Sequence, residues 1–115
     1  MEITVSDLGT TAKKITLVGK LDLDGAEKVG PRLASLAGSK TNVVVDMVGV
    51  DFIASIGLRH LVMASKAAAR WTSKLVLLDP NPMVTEVLSV SGLQQVLPIV
   101  RSEDEALAVF SLASI

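Results

Sequence analysis

Asp51-Phe52-Ile53-Ala54-Ser55-Ile56-Gly57-Leu58-Arg59 is the junction on which the reading of this 115-residue chain turns. An apolar segment ends there and a helical pattern begins at a small hydroxyl residue. Ser55 is placed as an N-cap, because a serine oxygen accepts from the unpaired amide donors of a first helical turn. From Ser55 the pattern runs to about Trp71. At about 100° per residue, Leu58, Leu61, Val62, Ser65, Ala68 and Ala69 share one side, and Ile56, Arg59, His60, Met63, Lys66, Ala67 and Arg70 the other. The second side joins three cations to two sizeable apolar side chains, Ile56 and Met63, and begins one residue after the serine. A helix N-terminus carries partial positive charge and free amide donors, so a phosphate on Ser55 is compatible with the fold and the position reads as a candidate switch.

Working outward, Asn42 to Met47 is a short β-branched run of the kind buried on both faces of a sheet. Val48 to Ala54 is read as a loop. Downstream, Ser73 to Asp79 is a second such run. A strand, a helix of about seventeen residues and another strand form a βαβ unit, whose strands are parallel and whose crossover is right-handed. Ile3 to Leu8 and Lys13 to Leu21 alternate around the turn Gly9-Thr10-Thr11 and predict an antiparallel hairpin. The sheet is therefore expected to be mixed.

The remaining segments supply helices and an edge. After Asp22-Leu23-Asp24-Gly25, the residues Ala26, Val29, Leu33, Leu36 and Ala37 recur at helical spacing until Gly38-Ser39. Pro31 inside that pattern must fall near the first turn or kink the helix. Pro80-Asn81-Pro82 opens a third helical pattern through Val84, Val87 and Leu88, closed by Gly92. Leu93 to Val100 reads as an edge strand interrupted by Pro98. Ser102 caps a last helix with Glu103, Asp104 and a capping-box Glu105 in its first turn, and Leu107, Ala108 and Phe110 form its packing face. The expected architecture is one α/β domain over residues 1–115, with a mixed sheet of about five strands and about four helices.

Composition removes several function classes. Half of the residues are apolar and the mean hydropathy is +0.53, yet no apolar run approaches the ~18 residues that span a bilayer. The N-terminus has neither a basic segment nor a signal-peptide core, so a cytoplasmic protein without direct membrane insertion is expected. The chain has no cysteine, which excludes disulfides, thiolate metal sites and thiol catalysis. Eleven basic and twelve acidic residues give a net charge of −1, and aromatic residues are 3% with no tyrosine, so neither a nucleic-acid footprint nor a stacking platform is indicated. His60 is the single histidine and lies more than a helical turn from Ser55, beyond hydrogen-bond reach, so no hydrolase base serves that hydroxyl. Neither a zinc nor a calcium motif is present, and Gly57 and Gly92 belong to no phosphate-binding loop. The reading is of a protein that is not an enzyme, with no metal and no cofactor. Asp22 and Asp24 follow a strand directly and either cap the next helix or border Ser55.

Val43-Val44-Val45-Asp46 followed by Val48-Gly49-Val50-Asp51-Phe52-Ile53-Ala54-Ser55-Ile56-Gly57-Leu58 resembles the core motif of STAS domains, the family of bacterial anti-sigma-factor antagonists. The likeness extends over the whole chain, from Gly19-Lys20-Leu21-Asp22 to the Leu75-to-Asp79 strand, Ser91-Gly92-Leu93 and the terminal helix. It implies a STAS-like fold and a transcription-regulating, stress-signalling module without catalytic activity. The resemblance also implies that Ser55 is phosphorylated by a partner kinase that doubles as the anti-sigma factor. The unphosphorylated form would bind that kinase and free the sigma factor, and a PP2C-like phosphatase would reset the switch. Asp22 matches the acid that borders the phosphorylation site in the family. One position departs: the best-known antagonists carry aspartate immediately before the serine, where this chain has Ala54, and Asp51 lies three residues earlier.

On this reading the partner-binding residues are Asp22, Asp24, Asp51, Ala54, Ile56, Gly57, Arg59, His60 and Met63. A phosphate adds about −1.5 to −2 charges at neutral pH, which weakens an apolar contact made at its rim while leaving the isolated domain nearly unchanged. The alternative is a STAS subunit docked permanently inside a lipid-transport ABC complex or a stress-signalling particle, with Ser55 only a cap. The apolar arc also allows a weak homodimer.

Overall fold

The computed structural model describes residues 1–113, with side chains through Ser111; Ser114 and Ile115, the end of the expected 1–115 domain, lie outside the described residues. In chain order the elements are β1 (Glu2–Leu8), β2 (Ala12–Leu21), α1 (Leu23–Ala37), β3 (Asn42–Ile53), α2 (Ser55–Ala69), β4 (Leu75–Leu78), α3 (Pro82–Val90), a 3-10 turn (Leu93–Gln95), β5 (Ile99–Val100) and α4 (Glu103–Ala113). The strands lie in the order β1-β2-β3-β4-β5. β1 pairs antiparallel with β2, and every later pair is parallel. This is the mixed, five-stranded, four-helix α/β arrangement expected from the patterning.

The continuous apolar runs of β3 and β4 follow from burial on both faces. Val43, Val45 and Leu77 point into a cluster closed by Val29 and Leu33 of α1, Leu61 of α2 and Leu88 of α3. Val44, Val76 and Val100 point the other way, onto Ala106 and Phe110 of α4. Three helices thus cover one side of the sheet and α4 part of the other. Leu61 is fully buried, and truncation of such a leucine costs about 2–5 kcal/mol. Leu107 and Ala108, expected on the packing face of α4, are exposed instead; Ala106 and Phe110 are the buried pair, four residues apart on one stripe.

Val48 to Ile53 belongs to β3 rather than to a loop. The parallel register with β2 shifts between Thr16 and Val18 and again between Gly19 and Lys20. Each shift inserts an extra residue, so the core-facing residues are Met47, Val50 and Ile53, spaced by three, with Val48, Asp51 and Phe52 exposed. Period-two alternation fails there although the strand continues. Leu93 to Val100 is likewise not one strand. It begins as a 3-10 turn and pairs only at Ile99–Val100, with Pro98 just outside, its carbonyl accepting from Leu77 N at 2.8 Å.

Pro31 stands well inside α1, which starts three residues earlier than the apolar spacing indicates because Asp22 caps it. The carbonyl of Glu27, which loses its donor to the proline ring, lies on the exposed side with Pro31.

Candidate functional site

The site is built by the ends of two parallel strands. Leu21 closes β2 and Ile53 closes β3 as register partners, and Ala54 N donates to Leu21 O at 3.0 Å. Both chains then leave the sheet at the same end, one into Asp22-Leu23-Asp24 and the other into Ala54-Ser55. The two loops that sequence reading leaves apart are therefore neighbours.

Gly57 explains the spacing of the motif. A Cβ there would lie 2.7 Å from Leu21 Cγ and 2.8 Å from Leu21 O, so only glycine lets the first turn of α2 settle onto the end of β2. With Gly57 facing inward, a residue two positions earlier is turned by about 200° and faces out. That residue is Ser55, and it is exposed.

Ser55 is not the cap. Ala54 occupies the N-cap position with extended backbone and no side-chain cap bond, and its carbonyl accepts from Gly57 N at 2.9 Å and Leu58 N at 3.1 Å. Ser55 is the first helical residue and its hydroxyl takes no hydrogen bond. The reason is Ala54 N: bonded to Leu21 O, it holds residue 54 in the extended conformation that a cap requires, and the helix begins one residue later than a serine cap would set it.

The other residues named from sequence fall in different settings. Asp22 is the N-cap of α1, its Oδ1 accepting from Gly25 N at 2.9 Å, and the same residue borders Ser55 through the Leu21–Ala54 link. Capping and bordering thus coexist. Asp24 is exposed in the first turn of α1, and Asp51 is exposed at the second bulge of β3. Arg59 and Met63 stand on the outer surface of α2, Met63 at 53% exposure.

Ile56 is half-buried rather than outward, because the inner line of α2 runs through Gly57, Leu61, Ala64 and Ala68; Leu58 and Val62 pack against the core beside it, as does Ala67, expected outside, whereas Ala69, expected inside, is exposed. His60 is half-buried against α1: a Cβ on Gly30 would come within 2.7 Å of its ring. It fills the close approach of the two helices. Sequence reading passes over Leu23, which is 60% exposed at the start of α1; the available signal was a large apolar residue between two aspartates.

The hollow of about 750 Å³ lined by Val48, Asn81, Glu86 and Arg101 includes none of the predicted site residues. Among the described residues, no group of three or more His, Asp or Glu is arranged to hold a metal ion, and no helix is long and apolar enough to cross a membrane. What the geometry offers is a free hydroxyl on an open helix head, suited to modification or to contact with another macromolecule.

Comparison with known families decides the kinship. The family model described as "Mlab, STAS domain" matches residues 6–101. The chain belongs to the STAS domain family. A STAS relative from Bordetella bronchiseptica, BtrV, carries the name of an anti-sigma factor antagonist and is 32% identical over 98 residues, covering 84% of each chain. Among solved STAS folds, an anti-sigma factor antagonist from Mycobacterium paratuberculosis superposes with a TM-score of 0.85 at 19% identity, over 96% of this chain and 93% of that one. SpoIIAA in its unphosphorylated form gives 0.77 at 20% identity, over 99% and 98%. These likenesses establish the fold across the full length of the domain.

Proposed function

We propose that this STAS domain is an anti-sigma factor antagonist, a binding module without catalytic activity of its own, switched by phosphorylation of Ser55. The observation that carries the reading is the Ser55 hydroxyl, exposed and unbonded at the head of α2 beside the Asp22 turn. The kinship with BtrV supports the same role. In the unmodified state, Arg59, Met63 and the Asp22-to-Asp24 turn engage an anti-sigma factor of serine-kinase type, and the sigma factor is released.

The kinase then modifies its own ligand. Ser55 Oγ bonds to the γ-phosphorus of ATP held by the kinase, the bond from that phosphorus to the β–γ bridging oxygen breaks, ADP leaves, and the hydroxyl proton passes to a base of the kinase. The added charge of about −1.5 to −2 sits at the rim of the contact and weakens it. A PP2C-like phosphatase restores the hydroxyl.

The test is incubation with ATP and the serine kinases encoded near this protein, followed by mass spectrometry of the Ser55 peptide and by titration of complex formation. One phosphate on Ser55, Ser55→Asp impaired in kinase capture and Ser55→Ala competent are the expected results. Equal binding by both variants removes the switch. A second reading is favoured by Ala54, which replaces the acid that precedes the serine in the best-known antagonists: a non-switching STAS subunit held in a larger assembly through the same face. Unmodified Ser55 together with stable co-purification with transport or particle subunits selects it.

A further inference from the structure

The outer stripe of α2 is a surface of one sign. Arg59, Met63, Lys66 and Arg70 follow one another at intervals of four, three and four residues and are all exposed. The helix contains no aspartate or glutamate. The ion pairs among the described residues are Lys13–Asp7, Lys14–Glu103 and Arg101–Asp79, so the three cations of the stripe are unpaired. In a chain of net charge −1 this is a local excess of positive charge with an apolar methionine inside it. Its complement is an acidic partner face with an apolar notch.

Arg59 has a second partner within reach. It lies four residues after Ser55, one turn and about 6 Å along the helix axis, on the same side. A guanidinium at that spacing meets the oxygens of a phosphate on Ser55 with paired N–H donors. The carboxylates at the same end of the sheet are Asp22 at the N-cap of α1, Asp24 in its first turn and Asp51 near the end of β3. Of these, Asp22 already accepts from Gly25 N.

Resting on the switch reading above, we propose that Arg59 is the positioning residue that reads the phosphate. In the unmodified protein it is the leading cation of a stripe that docks on an acidic surface of the kinase-type partner. When Ser55 is phosphorylated, Arg59 folds back onto the phosphate within its own helix. The partner then loses a cation and meets an anion, so one modification changes two contacts.

The test does not need the kinase. The full chain is made with phosphoserine genetically encoded at position 55, in the wild type, Arg59→Gln and Lys66→Gln, and the second phosphate pKa is followed by 31P NMR. Pairing with Arg59 lowers it, so the wild-type and Lys66→Gln values should agree and the Arg59→Gln value should lie higher by about half a unit or more. Equal values in wild type and Arg59→Gln overturn the proposal. Kinase binding is then measured for the unphosphorylated Arg59→Gln and Lys66→Gln variants at low and high salt. Each should weaken capture several-fold at low salt and flatten its salt dependence; unchanged affinity in both overturns the acidic-face assignment. Failure of the kinase to modify Ser55 overturns the switch reading itself, independently of the NMR result.

Discussion

Two helices of this protein start next to a serine, and the two serines do opposite things. At the head of α4, Ser102 Oγ accepts from Glu105 N at 3.1 Å, and Glu105 returns a carboxylate oxygen to Arg101 N at 3.0 Å. Three acids fill the first turn and face the positive end of the helix. At the head of α2, the cap position belongs to Ala54, the first turn has no acid, and the Ser55 hydroxyl is unused. The first serine serves the fold and the second is left free by it. A helix start that forgoes both a cap bond and first-turn carboxylates gives up about 1 kcal/mol or more, and what it retains is an open hydroxyl in a positive local field.

Measurements break or sharpen that contrast. The largest effect is expected at Gly57, which sets Ser55 outward by packing on Leu21: Gly57→Ala places a methyl 2.7 Å from Leu21 Cγ and 2.8 Å from its carbonyl and should cost about 2–3 kcal/mol in a denaturant titration. A value near zero means that α2 does not need its close seat on β2. Next comes Ser55→Asp, which should lower affinity for the kinase-type partner by about 1–3 kcal/mol in calorimetry while leaving the fold at least as stable, since an anion at a helix head is favourable. Retained affinity returns Ser55 to a passive surface residue.

Ser102→Ala removes a working cap and should destabilise by about 1 kcal/mol. Ser55→Ala removes nothing that the fold uses and should stay within about 0.5 kcal/mol of wild type in the same titration. The contrast fails if these last two variants cost the same.

The reading of serine caps shows where local pattern is sufficient. At Ser102 the cap, the acids and the capping-box glutamate sit within four residues, so everything that decides the helix start is in the local sequence. At Ser55 the deciding bond is Ala54 N to Leu21 O, between residues 33 positions apart in the chain, and it moves the cap one residue upstream. The same distinction holds for β3. Its first half alternates between two buried faces and is legible, whereas its second half carries two bulges that exist only against β2 and has the local pattern of a loop. On α2, period alone put Ile56 outward and left out Ala64; the close approach of α1 at Gly30 and His60 and of β2 at Gly57 turns the helix so that Ile56 is half covered.

By itself the sequence determined the order and kind of the elements, the parallel core strands, the helix head at Ser102, Asp22 and Asp24 as alternative caps of α1, and the outer arc of α2 through Arg59, Met63, Lys66 and Arg70. These are local properties: apolar period, β-branched runs and cap chemistry. Only the tertiary structure decided that the Asp22 turn and Ser55 share one end of the sheet, that Ser55 is free rather than a cap, and that Ile56 and His60, placed by period on the same outer arc as Arg59, Met63, Lys66 and Arg70, are half covered. Those facts depend on strand pairing and helix packing between segments far apart in the chain, whose energies are absent from any single stretch of residues.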